Sequence, residues 1–298
     1  MHPISLFRAA FAALINASVW GVSWFPLQWL ERHGVPSLWT TFFVFSACTA
    51  LVLVVRPGAL RRSLAEPKLL WLMAASGLTN VCFNMALATG DVVRSVLLFY
   101  LMPMWVVVLA RWLLKEAITG MTVLRLLLAL GGAVLVLGQG NSFVPVPEST
   151  SDWLAVVAGF CFGLNNVLLR RFSALPDDAR GLAMFSGAVV CAPLVIVWLA
   201  ASGQPIALHP QAVAWVGLAL FAAAVLVGNL ALQYGAARLR ANVLSVLMLA
   251  EIVVASVSSW LAGAATITAM TLAGGMLIIG ASLLAVVMGP PKEKAKPV

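Results

Sequence analysis

The sequence predicts an all-α integral membrane protein: ten transmembrane helices in two inverted five-helix repeats. Three observations predict it. First, the chain is 62% hydrophobic and only 9% charged, with a mean hydropathy of +1.03. Soluble domains carry roughly 25% charged residues, so this chain has too few to cover a water-facing surface. Second, ten apolar runs approach the roughly 20 residues that a helix needs to cross the hydrocarbon core. Third, the two halves echo each other. Asn84-x-Ala86-Leu87-x-x-Gly90 matches Asn229-x-Ala231-Leu232-x-x-Gly235 at a shift of 145 residues. Val96-Leu97 with Val243-Leu244, Val106-Val107 with Val253-Val254, and Thr119 with Thr266 match at a shift of 147. A repeat of half the chain length sets the architecture before any single helix is considered.

The ten runs are 8–30, 36–55, 69–89, 92–113, 119–138, 152–171, 181–201, 211–235, 241–262 and 266–288. The first has no small-residue cleavage site and is followed by further spans, so it reads as a retained helix and not a removed leader. Turn or charge signals separate the runs: Pro36, Arg56-Pro57-Gly58, Gly90-Asp91, Lys115-Glu116, Pro176-Asp177-Asp178, Gly203-Gln204-Pro205, Arg238 to Arg240, and Gly263. The connection at 141–151 is long. It divides a first repeat, 1–140, from a second, 152–298, which ends in a basic tail.

Basic residues orient the chain. With the N-terminus inside, the inner span ends hold Arg8, Arg56, Arg61, Arg62, Lys68, Arg111, Lys115, Arg125, Arg170, Arg171, Arg180, Arg238, Arg240, Lys292, Lys294 and Lys296, which is 16 of the 18. Arg32 and Arg94 remain outside. This places both termini in the cytoplasm and the protein in the inner (plasma) membrane. Most tryptophans, Trp29, Trp71, Trp153 and Trp215 among them, fall near span ends, as an interfacial belt requires. Trp20, Trp24 and Trp105 do not. An odd number of spans per half makes the second half enter the membrane from the opposite side. That is the inverted-repeat plan of secondary transporters, with a site near the midplane. The net charge of +8 sits at span ends and not on a soluble basic surface, which argues against nucleic acid as a partner.

Tyr100-Leu101-Met102-Pro103, followed by Glu116 at the end of the fourth span, carries a family resemblance. With the two five-helix halves it makes the chain resemble the drug/metabolite transporter superfamily, in its EamA-type ten-helix branch. In the second repeat Ala250 stands opposite Pro103 with Glu251 beside it, and Gly263 stands where the terminal Glu would be. The resemblance implies a secondary transporter that exports small organic metabolites, amino acids or related amphipathic compounds foremost, by alternating access. A multidrug exporter is an alternative. From other classes, a membrane-embedded enzyme or a non-transporting structural or sensor subunit are further alternatives. The expected partners are a small-molecule substrate and the lipid bilayer. Proton coupling is left open, and so is the choice between monomer and homodimer.

Polar groups inside a membrane face partners or a wet cavity. Glu251 is an acidic residue in mid-span. It either binds a cationic substrate group or a proton, or is a neutral acid bonded to a neighbouring helix. Asn16, Trp20 and Trp24 recur at i, i+4, i+8 and form a stripe on the first span. Matching Gly21 with Gly163 places Phe162, Asn165 and Asn166 at the equivalent level of the sixth. Asn80 and Asn84 on the third span are echoed by Asn229 and Gln233 on the eighth. Each amide is either cavity lining or a helix-to-helix bond. Tyr100 and Pro103 lie near the middle of the fourth span. A proline there removes one backbone bond and bends the helix, as a hinge that frees a carbonyl or as a packing kink. The candidate binding set is therefore Asn16, Trp20, Trp24, Asn80, Asn84, Tyr100, Phe162, Asn165, Asn166, Asn229 and Glu251, with Pro103 as the hinge. Helices 1, 3, 4, 6, 8 and 9 would line the cavity.

Gly159-x-x-x-Gly163 and Ala129-x-x-x-Ala133 read as close-packing faces. Arg94, near Asp91, reads as a loop contact. Cys48, Cys82, Cys161 and Cys191 lie in apolar runs without metal-type spacing, and His2, His33 and His209 lie at termini or loops. No cofactor, metal or catalytic residue is expected, since the sequence holds no phosphate loop, nucleophile elbow or paired carboxylates.

Overall fold

The computed structural model describes residues 3–90, 92–137, 147–264 and 266–287. Asp91, most of the 141–151 connection, His2 and the basic tail with Lys292, Lys294 and Lys296 lie outside the described residues. The described residues form helices α1 (Pro3–Val22), α2 (Trp24–Arg32), α3 (Ser37–Val55), α4 (Ala59–Leu64), α5 (Leu69–Thr89), α6 (Val92–Phe99), α7 (Met102–Leu113) and α8 (Gly120–Leu137) in the first half. The second half holds α9 (Thr150–Arg171), α10 (Asp177–Ala201), α11 (Ala212–Arg238), α12 (Ala241–Met248), α13 (Ala250–Leu261) and α14 (Ala269–Val287). Ten segments are long and apolar enough to cross a membrane, so the all-helical ten-span fold is present. A short extra helix, α4, follows the second span.

Three of the ten spans are broken where the apolar pattern alone runs straight through. In the first, the break falls at Ser23 between α1 and α2. Pro26 has no N–H to give the Val22 carbonyl, and the Ser23 hydroxyl donates to the Trp20 carbonyl at 2.6 Å. In the fourth, α6 ends at Phe99 and α7 begins at Met102, with Pro103 inside its first turn. In the ninth, α12 and α13 meet at Leu249, held by tight three-residue bonds from Leu249 N–H to Val246 and from Ile252 N–H to Leu249. No proline stands there. Pro193, by contrast, sits inside α10 without dividing it.

The helices pair in a pattern that survives exchange of the two halves. α1 packs on α11 and on α12 and α13, while α9 packs on α5 and on α6 and α7. α8 lies against α14, and α7 against α12. Gly21 brings α1 onto the Glu251 carbonyl and Val254 of α13, and Gly163 brings α9 onto Met102, Trp105 and Val106 of α7. The Gly159-x-x-x-Gly163 and Ala129-x-x-x-Ala133 faces are close-packed, with Gly132 and Gly274 touching backbone to backbone at the α8–α14 crossing.

One repeat match needs correction. Thr119 and Thr122 bond each other reciprocally at the start of α8, and Thr268 and Thr271 do the same at the start of α14. The structural mate of Thr119 is thus Thr268, at a shift of 149, and not Thr266. The hydroxyls satisfy the first free N–H groups of each helix, a role that Thr266 does not fill.

Charged contacts gather at the two ends of the bundle. At the end rich in arginine, Arg62 pairs with Asp178, Arg170 donates to the Ala237 carbonyl, and Arg171 donates to that of Leu113 at 2.8 Å. Left-handed Lys115 (φ 58°) turns the chain after α7, and the Glu116 N–H reaches back to Ala110. The Glu116 carboxylate then accepts from the Ala241 N–H at 3.0 Å, capping α12, with Arg240 at 3.7 Å. At the opposite end Arg94 bonds Asp152 at 2.8 Å and Glu148 at 3.1 Å. Asp152 also completes a capping box with Ser149 at the start of α9, so Arg94 is a loop contact, as its sequence position suggests.

Candidate functional site

A cavity of about 90 Å³ lies in the centre of the bundle, lined from eight of the ten spans. Trp20 comes from α1, Phe45 from α3, Ser76, Thr79, Asn80 and Phe83 from α5, and Phe99 from α6. Phe162 and Asn165 come from α9, Met184 from α10, Asn229 and Leu232 from α11, and Glu251 from α13. Six of the eleven candidate binding residues therefore meet at one place: Trp20, Asn80, Phe162, Asn165, Asn229 and Glu251.

Glu251 owes its position to the break in the ninth span. It occupies the first turn of α13, where the partial positive charge of a helix N-terminus favours a carboxylate. Tyr100 comes from the corresponding break in the fourth span. It is buried, with its ring packed against Phe99 of the cavity lining. Each half thus brings an interrupted span to the cavity, at Phe99 on the end of α6 and at Glu251 on the start of α13. Phe99, Tyr100 and Phe162 form an aromatic cluster with centroids 5.6 Å apart for both the Phe99–Tyr100 and Phe99–Phe162 pairs, and Phe83 lies tilted against Phe99 at 4.6 Å.

Four other candidates do not line the cavity. Asn84 donates to the Thr41 hydroxyl at 2.9 Å and joins α5 to α3. Trp24 lies beyond the break at Ser23, so the expected Asn16–Trp20–Trp24 stripe is interrupted. Its indole N–H bonds Ser258 of α13 at 3.0 Å instead. Asn16 and Asn166 are both fully buried, and neither amide finds a protein partner among the described residues. Gln233, one turn along α11 from Asn229 and against Gly181 of α10, is in the same condition, as is Oδ1 of Asn165. Buried amides nearly always hold a hydrogen bond. Two of the cavity amides spend their NH₂ group on their own helix, Asn80 on Ser76 and Asn229 on Val225, both at 2.9 Å, which leaves the amide oxygens for other partners.

The sequence reading missed Phe45, Ser76, Thr79, Phe83, Phe99, Met184 and Leu232. For α5 a signal existed: Ser76, Thr79, Asn80 and Phe83 are spaced i, i+3, i+4, i+7, one face of a helix. Phe45 and Met184 carry none, and they bring the second and seventh spans into a lining expected from six helices. Trp105, away from any span end, packs edge-on against Phe160 at 5.6 Å and stands outside the cavity.

A bundle of ten apolar helices, three of them broken, around a polar-aromatic cavity defines a multi-pass membrane protein. Residues 7–138, the first five spans, match the model of the EamA-like transporter family. That match suggests a membrane transporter of small molecules. A solved structure titled "Crystal structure of protein" superposes with a TM-score of 0.76 over 94% of this chain and 96% of that one, at 20% identity, and shares the fold. No curated protein matches the sequence.

Proposed function

We propose that this protein is a secondary transporter that exports small amphipathic metabolites bearing an amino group, amino acids and their relatives, across the inner membrane by alternating access. The observation that carries the reading is that an interrupted span from each half reaches the cavity, with Glu251 at the start of α13 and Phe99 at the end of α6. Broken helices at mid-membrane are where transporters bind cargo and bend. In this reading the arginine-rich end is cytoplasmic, the second half is the first inverted, and the cavity opens alternately to each side. Aromatic faces take the apolar part of the cargo, the amides hydrogen-bond its polar part, and Glu251 meets its positive charge. Multidrug export would ask for a larger and less polar space than a 90 Å³ cavity lined by three amides and a carboxylate.

The two halves pack differently at the level of the cavity. α5 and α10 touch backbone to backbone at Gly77 and Gly187, at the level of the cavity-lining Ser76 and Met184. The repeat-related pair, α3 and α11, has no such crossing, since α3 contains no glycine. Purified protein in proteoliposomes should move labelled amino compounds down a gradient, and empty vesicles should not. Flux equal to that of empty vesicles across a panel of amino acids and amines would refute the transporter reading.

A further inference from the structure

The central cavity is unbalanced in charge. Among the described residues that line it, Glu251 is the only one that ionises, and five aromatic rings surround the space: Trp20, Phe45, Phe83, Phe99 and Phe162. No lysine, arginine or histidine faces it. Arg180, one turn from Met184 on α10, is fully buried but turned away. Its guanidinium donates to the carbonyls of Leu169 and Leu175 and pairs with Asp177. The helix N-termini do not supply the missing positive charge either. Glu251 already occupies the first turn of α13, and α7 begins with Met102 and Pro103, which are buried and stand outside the lining, Met102 against Gly163 of α9.

We propose that the occupant of this cavity is an organic ammonium ion with no free carboxylate, selected by Glu251 and the surrounding aromatic faces. The proposal rests on the transporter reading above and replaces its amino acids with amines that carry no carboxylate. An ammonium group gains twice, from the carboxylate and from the negative faces of the rings. A zwitterion would bring a second carboxylate into a space of about 90 Å³, where no cation meets it and Glu251 repels it. Selectivity then comes from the unmet charge as much as from the favourable one. Like charges forced together without a counter-ion cost enough to separate an amine from its amino acid by roughly 100-fold or more in affinity. The three amides serve the cargo's neutral polar groups, such as a hydroxyl, an ester or an amide.

The test uses matched pairs that differ by the carboxylate: isobutylamine against valine, and choline against glycine betaine. Calorimetry on the purified full-length protein in detergent reads affinity. Labelled choline and labelled valine in proteoliposomes read transport, with choline chosen because it does not leak as a neutral base. The expected result is that isobutylamine and choline bind and choline moves, while valine and betaine bind at least about 100-fold more weakly. Glu251→Gln should abolish choline binding while melting like the wild type. Phe162→Leu, which keeps the volume but removes a ring face, should weaken choline several-fold. Valine bound as tightly as isobutylamine would overturn the charge selectivity and leave the transporter reading standing. Absence of binding and flux for all four compounds, in protein with an intact melting transition, would overturn both. Undiminished choline binding by Glu251→Gln would remove the carboxylate from the selectivity.

Discussion

Gly159→Ala is the sharpest mechanical test of how the fourth span is held. A Cβ at Gly159 would stand 2.5 Å from the Phe99 carbonyl oxygen and 3.3 Å from the Phe99 carbonyl carbon and Cα. All three are backbone atoms at the end of α6, next to the break, so no side chain can swing aside. Ordinary contact begins near 3.4 Å, which means that α6 and α9 must separate by about 0.9 Å, the difference between 3.4 and 2.5. Overpacking of that kind costs about 1–3 kcal/mol. The helical preference of alanine over glycine returns at most about 1 kcal/mol, so a net loss remains. The effect should reach the cavity, because Phe99 lines it and packs against both Phe83 and Phe162. Melting in detergent, followed by tryptophan fluorescence, should fall by several degrees, and turnover in proteoliposomes should drop. Gly131→Ala is the control, since a Cβ there meets nothing within 4 Å; it should melt at or above the wild-type temperature. If Gly159→Ala melts and transports like the wild type, the α6–α9 contact is looser than the geometry says and the packing argument fails.

Pro103→Ala should slow turnover while substrate affinity holds, because a regained N–H can bond the Phe99 carbonyl and stiffen the break; affinity lost in step with turnover would contradict this. Glu116→Ala removes the acceptor for the Ala241 N–H and the partner of Arg240. It should cost about 1 kcal/mol, the usual worth of a helix cap, with Glu116→Gln in between; identical melting curves for all three proteins would show that the cap does not tie the halves together. Single cysteines at Ser37 and Ser202 should react with an impermeant reagent added outside intact cells, and those at Ser63 and Ser173 should be protected. Labelling of Ser173 from outside would break the orientation argued from the basic residues.

Span number and span limits were legible because the bilayer imposes a local rule. A stretch either holds enough consecutive apolar residues to cross or it does not, so 69–89 was expected and α5 runs Leu69–Thr89. Glu251 and the amides were legible for the same reason: a polar side chain amid apolar neighbours signals a special environment without knowledge of its contacts. Pairing of the helices was beyond that rule. Lipid-facing and protein-facing residues are equally apolar, so no amphipathic stripe tells α3 which side to turn inward, and Phe45 and Met184 look like any other membrane residues. Asn84 and Asn80 show the limit most plainly. They lie one turn apart on one helix, yet Asn84 bonds Thr41 while Asn80 lines the cavity, a choice made by which neighbour crosses at each level. The break at Leu249 was equally hidden. Proline and serine mark the interruptions at Tyr100 and Ser23, but nothing in Leu-Met-Leu-Ala-Glu disfavours a continuous helix. Composition and hydropathy determined that the chain holds ten helices long and apolar enough to cross a membrane. Only tertiary packing decided where those helices bend and which six of the eleven candidate side chains share a space, because those depend on contacts between segments far apart in sequence.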